Sequence, residues 1–302
     1  MKTEEDKLID EIIHMPEVVD RKFPVLVQND SGVELVQYDP KEVVYGDTDS
    51  AYVSLDKLFS KETPPETVIT FANSLAKTVN QGFPPFMRAV FNCNEEQSHM
   101  IETERELVSD KSYFIVKKNY IMHYIDKDGV AHDDYKVMGL ATKRSDTPQI
   151  VKDFLDTMLH MLMDKKPFDD IEQAIVAFKA QYYQASFNDI GRPMAIKTLR
   201  PYEERYEKNQ SMKGFSYHIR AVMYYNMMCG PQDLRINAGD KIRIVYIKDE
   251  KYPDMKYIAL PADTDMLPAF VSDLVIDRKV QWEKVVKKIN LYLIPIGLTY
   301  TE

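Results

Sequence analysis

Val43-Val44-Tyr45-Gly46-Asp47-Thr48-Asp49-Ser50-Ala51-Tyr52-Val53-Ser54-Leu55 is the stretch on which the rest of the chain turns. Two β-rich runs, Val43 to Tyr45 and Ala51 to Leu55, flank a short polar tip, which is the pattern of a hairpin. The tip lacks the Asn-Gly or Asp-Gly signature of the tightest turns. Asp47 and Asp49 stand two apart, so extended backbone sends both to one side. Two carboxylates on one side repel each other unless a cation lies between them. Hard oxygen donors on a rigid tip suit Mg²⁺, which takes one or two protein carboxylates and leaves room for substrate phosphates. A bare Asp-x-Asp is more often a solvated acidic turn, because turns favour Asp. The spacing of the two acids therefore does not assign the site by itself.

Downstream, residues 99 to 125 read as strand in two pieces, His99 to Val108 and Tyr113 to Ile125, followed by a turn at Asp126-Lys127-Asp128-Gly129. The second piece contains Lys117-Lys118. A strand sends neighbours to opposite faces, so at least one lysine must leave the core. It either protects a sheet edge or aims a cation at a phosphate.

The full string Tyr45-Gly46-Asp47-Thr48-Asp49-Ser50 resembles the metal-binding palm hairpin of family B DNA polymerases. Lys117-Lys118-Asn119-Tyr120 resembles the second palm signature of that family, which contacts the primer strand near its growing end. The usual third residue there is Arg or Lys, and this chain has Asn119. The resemblance implies that Asp47 and Asp49 are catalytic and hold two Mg²⁺ ions, with Asp49 the firmer ligand. It also implies that Lys117, Lys118 and Tyr120 bind DNA. Glu104-Arg105-Glu106 is similar to an acidic palm strand of the T-even-type phage polymerases, which would make Glu106 an accessory catalytic acid. Its other reading is an ion pair with Arg105. The T-even similarity continues through Lys136 to Pro148. Lys213-Gly214-Phe215-Ser216-Tyr217-His218-Ile219-Arg220-Ala221 resembles the thumb segment whose bases approach the duplex backbone. That adds Lys213, His218 and Arg220 as DNA-binding residues.

The remaining elements read as scaffold. Pro64 to Asn92 suggests one or two helices broken by Pro84-Pro85. Thr147 as N-cap and Pro148 at the first helical position predict a helix with Ile150, Val151, Phe154, Leu155, Met158 and Leu159 at 3.6 spacing. A second helix is expected over Asp169 to Ala185, an alternating strand over Gly239 to Tyr246, and a mainly helical stretch over Pro268 to Leu293. Lys279, Lys284, Lys287 and Lys288 fall on exposed positions of that last stretch. Upstream, residues 4 to 15 have helical spacing, and Phe23 to Tyr38 reads as a hairpin with no counterpart in the polymerase family.

Composition sets the outer bounds. The chain has 302 residues, 44% hydrophobic and 29% charged, with a net charge of −9. A binder held by bulk charge alone would be basic, but a basic cleft can sit within an acidic surface. Cys93 and Cys229 show no metal or disulfide spacing, which favours a reducing compartment. No apolar run is long enough to span a membrane.

The expected fold is α+β, an antiparallel β palm remnant followed by a mostly α-helical thumb. Residues 1–40 would be an N-terminal helix and hairpin for partner docking, 41–140 the palm, and 141–302 the thumb. No Ser-Leu-Tyr-Pro-like palm string and no fingers-type Lys-x₃-Asn-Ser-x-Tyr-Gly string occurs. The resemblance therefore implies one half of a split polymerase, inactive until joined by a complementary N-terminal chain with exonuclease, fingers and the first palm Asp. Its other partners would be primer-template DNA, dNTP and, through the partner chain, a sliding clamp. The expected location is the cytoplasm, that of the host cell if a phage encodes it. The rival is a non-catalytic DNA-binding accessory that retains the palm–thumb shape. A sugar transferase using Asp-x-Asp is disfavoured, because it predicts no Lys-Lys-x-Tyr.

Overall fold

A computed structural model describes residues 23–29, 32–38, 43–47, 50–60, 62–248, 255–262, 264 and 266–301, with residues 23–29, 32–38 and 47 described as backbone alone. The helix expected over residues 4 to 15 lies outside the described residues. The fold is α+β, with small antiparallel sheets among helices. The chain divides into two compact units, Met1–Ser112 with Met122–Lys136, and Tyr113–Ile121 with Val137–Glu302.

The first unit opens with an antiparallel hairpin, β1 (Phe23–Asn29) and β2 (Gly32–Tyr38), with Asn29 opposite Gly32. The hairpin of β3 (Val43–Asp47) and β4 (Ser50–Val53) follows. Next is α1 (Pro65–Phe91), 27 residues long, and then the single turn α2 (Glu95–Ser98). Phe71 of α1 is buried against Val53, Leu55, Leu58, Phe59 and Leu75, with Phe59 edge-on to Phe71 at 5.2 Å. This apolar seat ties the strand after the β3–β4 tip to a helix.

Pro84 and Pro85 do not break α1. Each proline removes an N–H donor, here from the carbonyls of Asn80 and Gln81. Gln81 is exposed, so water can replace one of these bonds. The Asn80 side chain exchanges two hydrogen bonds with the Thr103 backbone, at 2.7 and 2.8 Å, and anchors that turn.

Strands β5 (Leu107–Val116), β6 (Asn119–Lys127) and β7 (Val130–Met138) form one sheet in that order. The division between units runs through it: 107–112, 122–127 and 130–136 go with the first unit, 113–116, 119–121 and 137–138 with the second. The strand expected from His99 begins only at Leu107. Both connections are two residues long, Lys117-Lys118 and Asp128-Gly129, a length that joins antiparallel strands.

The second unit has a helical layer and a small sheet. Helices α3 (Gln149–Met163), α4 (Phe168–Gln184) and α8 (Arg278–Leu293) share an aromatic core. In it Phe154 stacks on Phe178 at 4.1 Å, and Tyr182 and Trp282 close in at 5.4 Å. The N-cap of α3 is Pro148, with no side-chain cap, so the helix starts one residue later than Thr147 predicts. The short α5 (Phe187–Ile190) leads to β8 (Arg192–Ala195), which pairs with β9 (Lys241–Tyr246), itself paired with β10 (Tyr257–Pro261). Helices α6 (Arg200–Asn209) and α7 (Tyr217–Met228) lie between β8 and β9 in sequence. Ile219, Val222, Tyr225, Ile244 and Ile258 form the center of the core around this sheet.

Candidate active site and nucleic-acid interface

The register of β3 and β4 sets the tip. Asp47 pairs with Ser50, Gly46 with Ala51 and Tyr45 with Tyr52, which leaves two residues, Thr48 and Asp49, to close the turn. Both lie outside the described residues. Val44 is an extra residue, because Val43 pairs with Val53 while Tyr45 pairs with Tyr52. Such a bulge bends the strand and increases its twist just before the tip. By register, position 47 shares a face with Tyr45 and Tyr52, whose rings meet at 5.5 Å. Only Gly46 and Ala51, the two smallest kinds of side position, occupy the opposite face of the tip.

Glu106 stands just before β5, exposed, and accepts from the Lys136 Nζ at 2.6 Å. Its expected alternative partner, Arg105, is engaged elsewhere: it pairs with the nearly buried Asp126 and donates to Asn73 at 2.9 Å. Among the described residues, no group of three His, Cys, Asp or Glu side chains is arranged to hold a metal ion.

Lys117 and Lys118 do not lie within a strand. They are the turn between β5 and β6, and Lys118 has φ +64°. A side chain in that region costs about 1–2 kcal/mol, so the surroundings must hold it. Gly139, with φ +67°, packs against the Lys118 carbonyl. The Asn119 amide caps the turn by donating to the Lys117 carbonyl at 3.0 Å. Both lysines are exposed, while Tyr120 is 4% exposed with its ring 5.4 Å from Phe114. Farther along β5, the Tyr113 hydroxyl donates to the Tyr292 carbonyl of α8 at 2.6 Å. The Tyr292 hydroxyl in turn accepts from the Ala141 N–H at 3.0 Å.

In the second unit, Lys213 is exposed on the loop before α7, and its carbonyl accepts from Arg205 at 3.2 Å. His218 and Arg220 are two apart on α7, so they do not face each other. His218 Nε2 lies 3.2 Å from the Ser216 hydroxyl. Burial, and then the charge of Arg192, push its pKa down, which favours the neutral ring. The Arg220 guanidinium sits over the Tyr257 ring at 5.7 Å, and its buried Nε has no hydrogen-bond partner among the described residues. The sequence reading missed Arg144, Arg192 and Lys288, which the fold gathers beside Asp146. Their only sequence signal was their charge, scattered over well separated segments. Lys288, expected on an exposed position, is half-buried.

Comparison with known proteins places this geometry. The chain is 22% identical over 286 residues to the DNA-directed DNA polymerase of Enterobacteria phage T4, covering 87% of this chain and 31% of that protein. It is 23% identical over 267 residues to the DNA-directed DNA polymerase of Escherichia phage RB69, covering 80% and 28%. It is 25% identical over 231 residues to DNA polymerase 1 of Aeropyrum pernix, covering 74% and 20%. The chain thus spans about a third or less of the length of these relatives. The sequence model of DNA polymerase family B matches residues 10–296, and the chain belongs to that family.

Proposed function

We propose that this chain is the palm–thumb subunit of a family B DNA-directed DNA polymerase. It adds dNTPs to a primer 3′ end when assembled with a complementary chain carrying exonuclease, fingers and the first palm Asp. The observation that carries the reading is the β3–β4 hairpin: Tyr45-Gly46-Asp47-Thr48-Asp49-Ser50 falls on a paired two-residue tip within a family B match. In this reading residues 41–140 serve as palm, 141–302 as thumb, and 1–40 dock the partner. A sliding clamp is reached through the partner chain, and the site of action is the cytoplasm of the host cell. Among the described residues no helix is long and apolar enough to cross a membrane.

The carboxylates of Asp47 and Asp49 are hard donors on adjoining tip positions, a set that fits Mg²⁺. When bound, two such ions stabilise charge on the attacking and leaving oxygens of phosphoryl transfer. The protein's own work is placement. Lys117 and Lys118 set the primer end from a turn pinned by Gly139. Lys213, His218 and Arg220 hold the duplex backbone. Glu106 adds an acid near the strand that enters the sheet, with its charge tempered by Lys136.

The test is reconstitution. The purified chain alone is expected to incorporate no nucleotide, and mixing with the complementary chain is expected to restore Mg²⁺-dependent primer extension. Robust extension by the 302-residue chain alone would overturn the split assembly. Duplex binding without extension in the mixture would favour the non-catalytic accessory.

A further inference from the structure

Arg144, Asp146, Arg192 and Lys288 meet in the second unit although no motif joins them. Arg144 follows the 3₁₀ turn Ala141–Lys143, Arg192 opens β8, and Lys288 lies on α8. Asp146 accepts from Arg144 at 3.0 and 3.3 Å and from Arg192. The two guanidiniums and burial act in opposite senses on that carboxyl, and the net effect lowers its pKa. Lys288 gives its hydrogen bond to the Thr147 hydroxyl at 3.4 Å and has no carboxylate at ion-pair distance among the described residues. Three cations against one carboxylate leave an excess of positive charge. Arg144 and Arg192 keep 59% and 46% of their side chains exposed, so that excess faces solvent.

The cluster continues as a track. The Arg192 guanidinium lies 5.9 Å over the Tyr217 ring, and Tyr217 meets Tyr257 edge-on at 5.7 Å. Arg220 lies over Tyr257 at 5.7 Å, Tyr257 meets Tyr246 at 6.2 Å, and Lys284 lies over Tyr246 at 5.7 Å. Every basic group from Arg144 to Lys284 is therefore joined to the next through a carboxylate or a ring. Asp146 is the one acid that takes part in these contacts among the described residues.

We infer that this track is a phosphodiester-binding surface, on which Arg144, Arg192 and Lys288 grip one backbone phosphate of duplex DNA and Arg220 and Lys284 grip others. The inference rests on the polymerase reading and extends the interface beyond the Lys213-to-Arg220 segment. Guanidiniums suit phosphate because their planar forks donate in pairs. The tyrosine rings stack under the cations and hold them extended, which lowers the entropy lost on binding. Proteins that stack bases of a single strand present open aromatic faces. Here cations cover those faces, so the surface grips backbone and reads no sequence.

The experiment measures binding of the full chain to a labelled duplex across a salt series, with Arg144→Gln and Lys284→Gln. Each variant is expected to weaken duplexes of different sequence alike and to flatten the log–log salt slope by about 0.9. An unchanged slope in both variants overturns the inference. So does an Arg144→Gln defect in pyrophosphate binding with duplex binding intact, which would mark a site for free phosphate anions. A larger loss on a single strand than on a duplex also overturns it. Extension by the reconstituted wild-type enzyme is read separately. If that fails, the polymerase reading fails whatever the slopes; if it succeeds with slopes unchanged, only this inference falls.

Discussion

Gly139 lies directly against the backbone carbonyl of Lys118, so that a Cβ added at Gly139 would overlap the Lys118 oxygen. The residue after β7 thus fixes the turn between β5 and β6. Both residues have positive φ, +67° and +64°. The turn carries the two lysines proposed to meet the primer, so its geometry links packing to function.

Gly139→Ala is therefore expected to be costly. The left-handed backbone alone costs an Ala about 1–2 kcal/mol, and overlap with a backbone carbonyl cannot be relieved by a rotamer. A urea midpoint clearly below that of the wild type is expected, together with weaker primer handling by the reconstituted enzyme. A variant as stable as the wild type would show that the Lys118 carbonyl moves freely and that Gly139 does not hold the turn.

Asp49→Asn tests the proposed metal site. A neutral amide keeps the shape of the side chain but not the charge that binds Mg²⁺. Primer extension by the reconstituted enzyme is expected to vanish while primer-template affinity stays within a few-fold. Asp47→Asn is expected to be harmful but less absolute. Wild-type turnover from Asp49→Asn removes Asp49 from the ligand set.

His123 makes stability depend on pH. Its Nδ1 lies 2.5 Å from Asp110 on β5, and its Nε2 lies 2.8 Å from Asp133 on β7. Both ring nitrogens can donate only in the imidazolium form. Burial favours the neutral ring, but the hydrogen bonds and charges of the two aspartates outweigh it and raise the pKa. The folded pKa exceeds the unfolded one, so the stabilisation is complete below the ordinary histidine range, about 6.5, and is lost as pH rises through the folded value. Asp133 is 93% exposed, so the pair is screened and the loss should be about 1 kcal/mol or less. Urea midpoints at acidic and mildly alkaline pH are expected to differ in the wild type and to converge in His123→Gln. A pH dependence unchanged by the substitution would assign it to another group.

The sequence carried part of this arrangement. The hairpin at Asp47 was readable because β-rich runs flank a polar tip, and α3 because its apolar residues keep a 3.6 period. The Lys117-Lys118 turn was hidden: Val116 before it and Tyr120-Ile121-Met122 after it are apolar, with no Gly or Pro between. The partner that permits it, Gly139, is distant in sequence. Pro84-Pro85 misled in the opposite direction, because an exposed helix face lets water replace a lost backbone bond. The Arg144–Asp146–Arg192–Lys288 cluster was illegible because it exists only once α3, β8 and α8 are folded together.

The turn geometry also changes what Lys117 and Lys118 are expected to do. Within a strand, one would face the DNA and the other the far side of the sheet. At a two-residue turn both project from the same tip, and both are exposed. Lys118→Asn is a clean probe, because Asn tolerates the left-handed backbone better than other side chains and removes the charge without remaking the turn. Lys117→Gln removes the other charge on ordinary backbone. In the reconstituted enzyme both variants are expected to lower the single-turnover rate, because the tip places the primer end, and to flatten the salt slope of binding by at most about 0.9 each. Stability is expected to hold in both, with Lys118→Asn at or above the wild type as left-handed strain is relieved. A rate defect confined to Lys118→Asn, with Lys117→Gln indistinguishable from wild type in rate and slope, would mean that only one lysine reaches the primer and that the tip does not act as a pair.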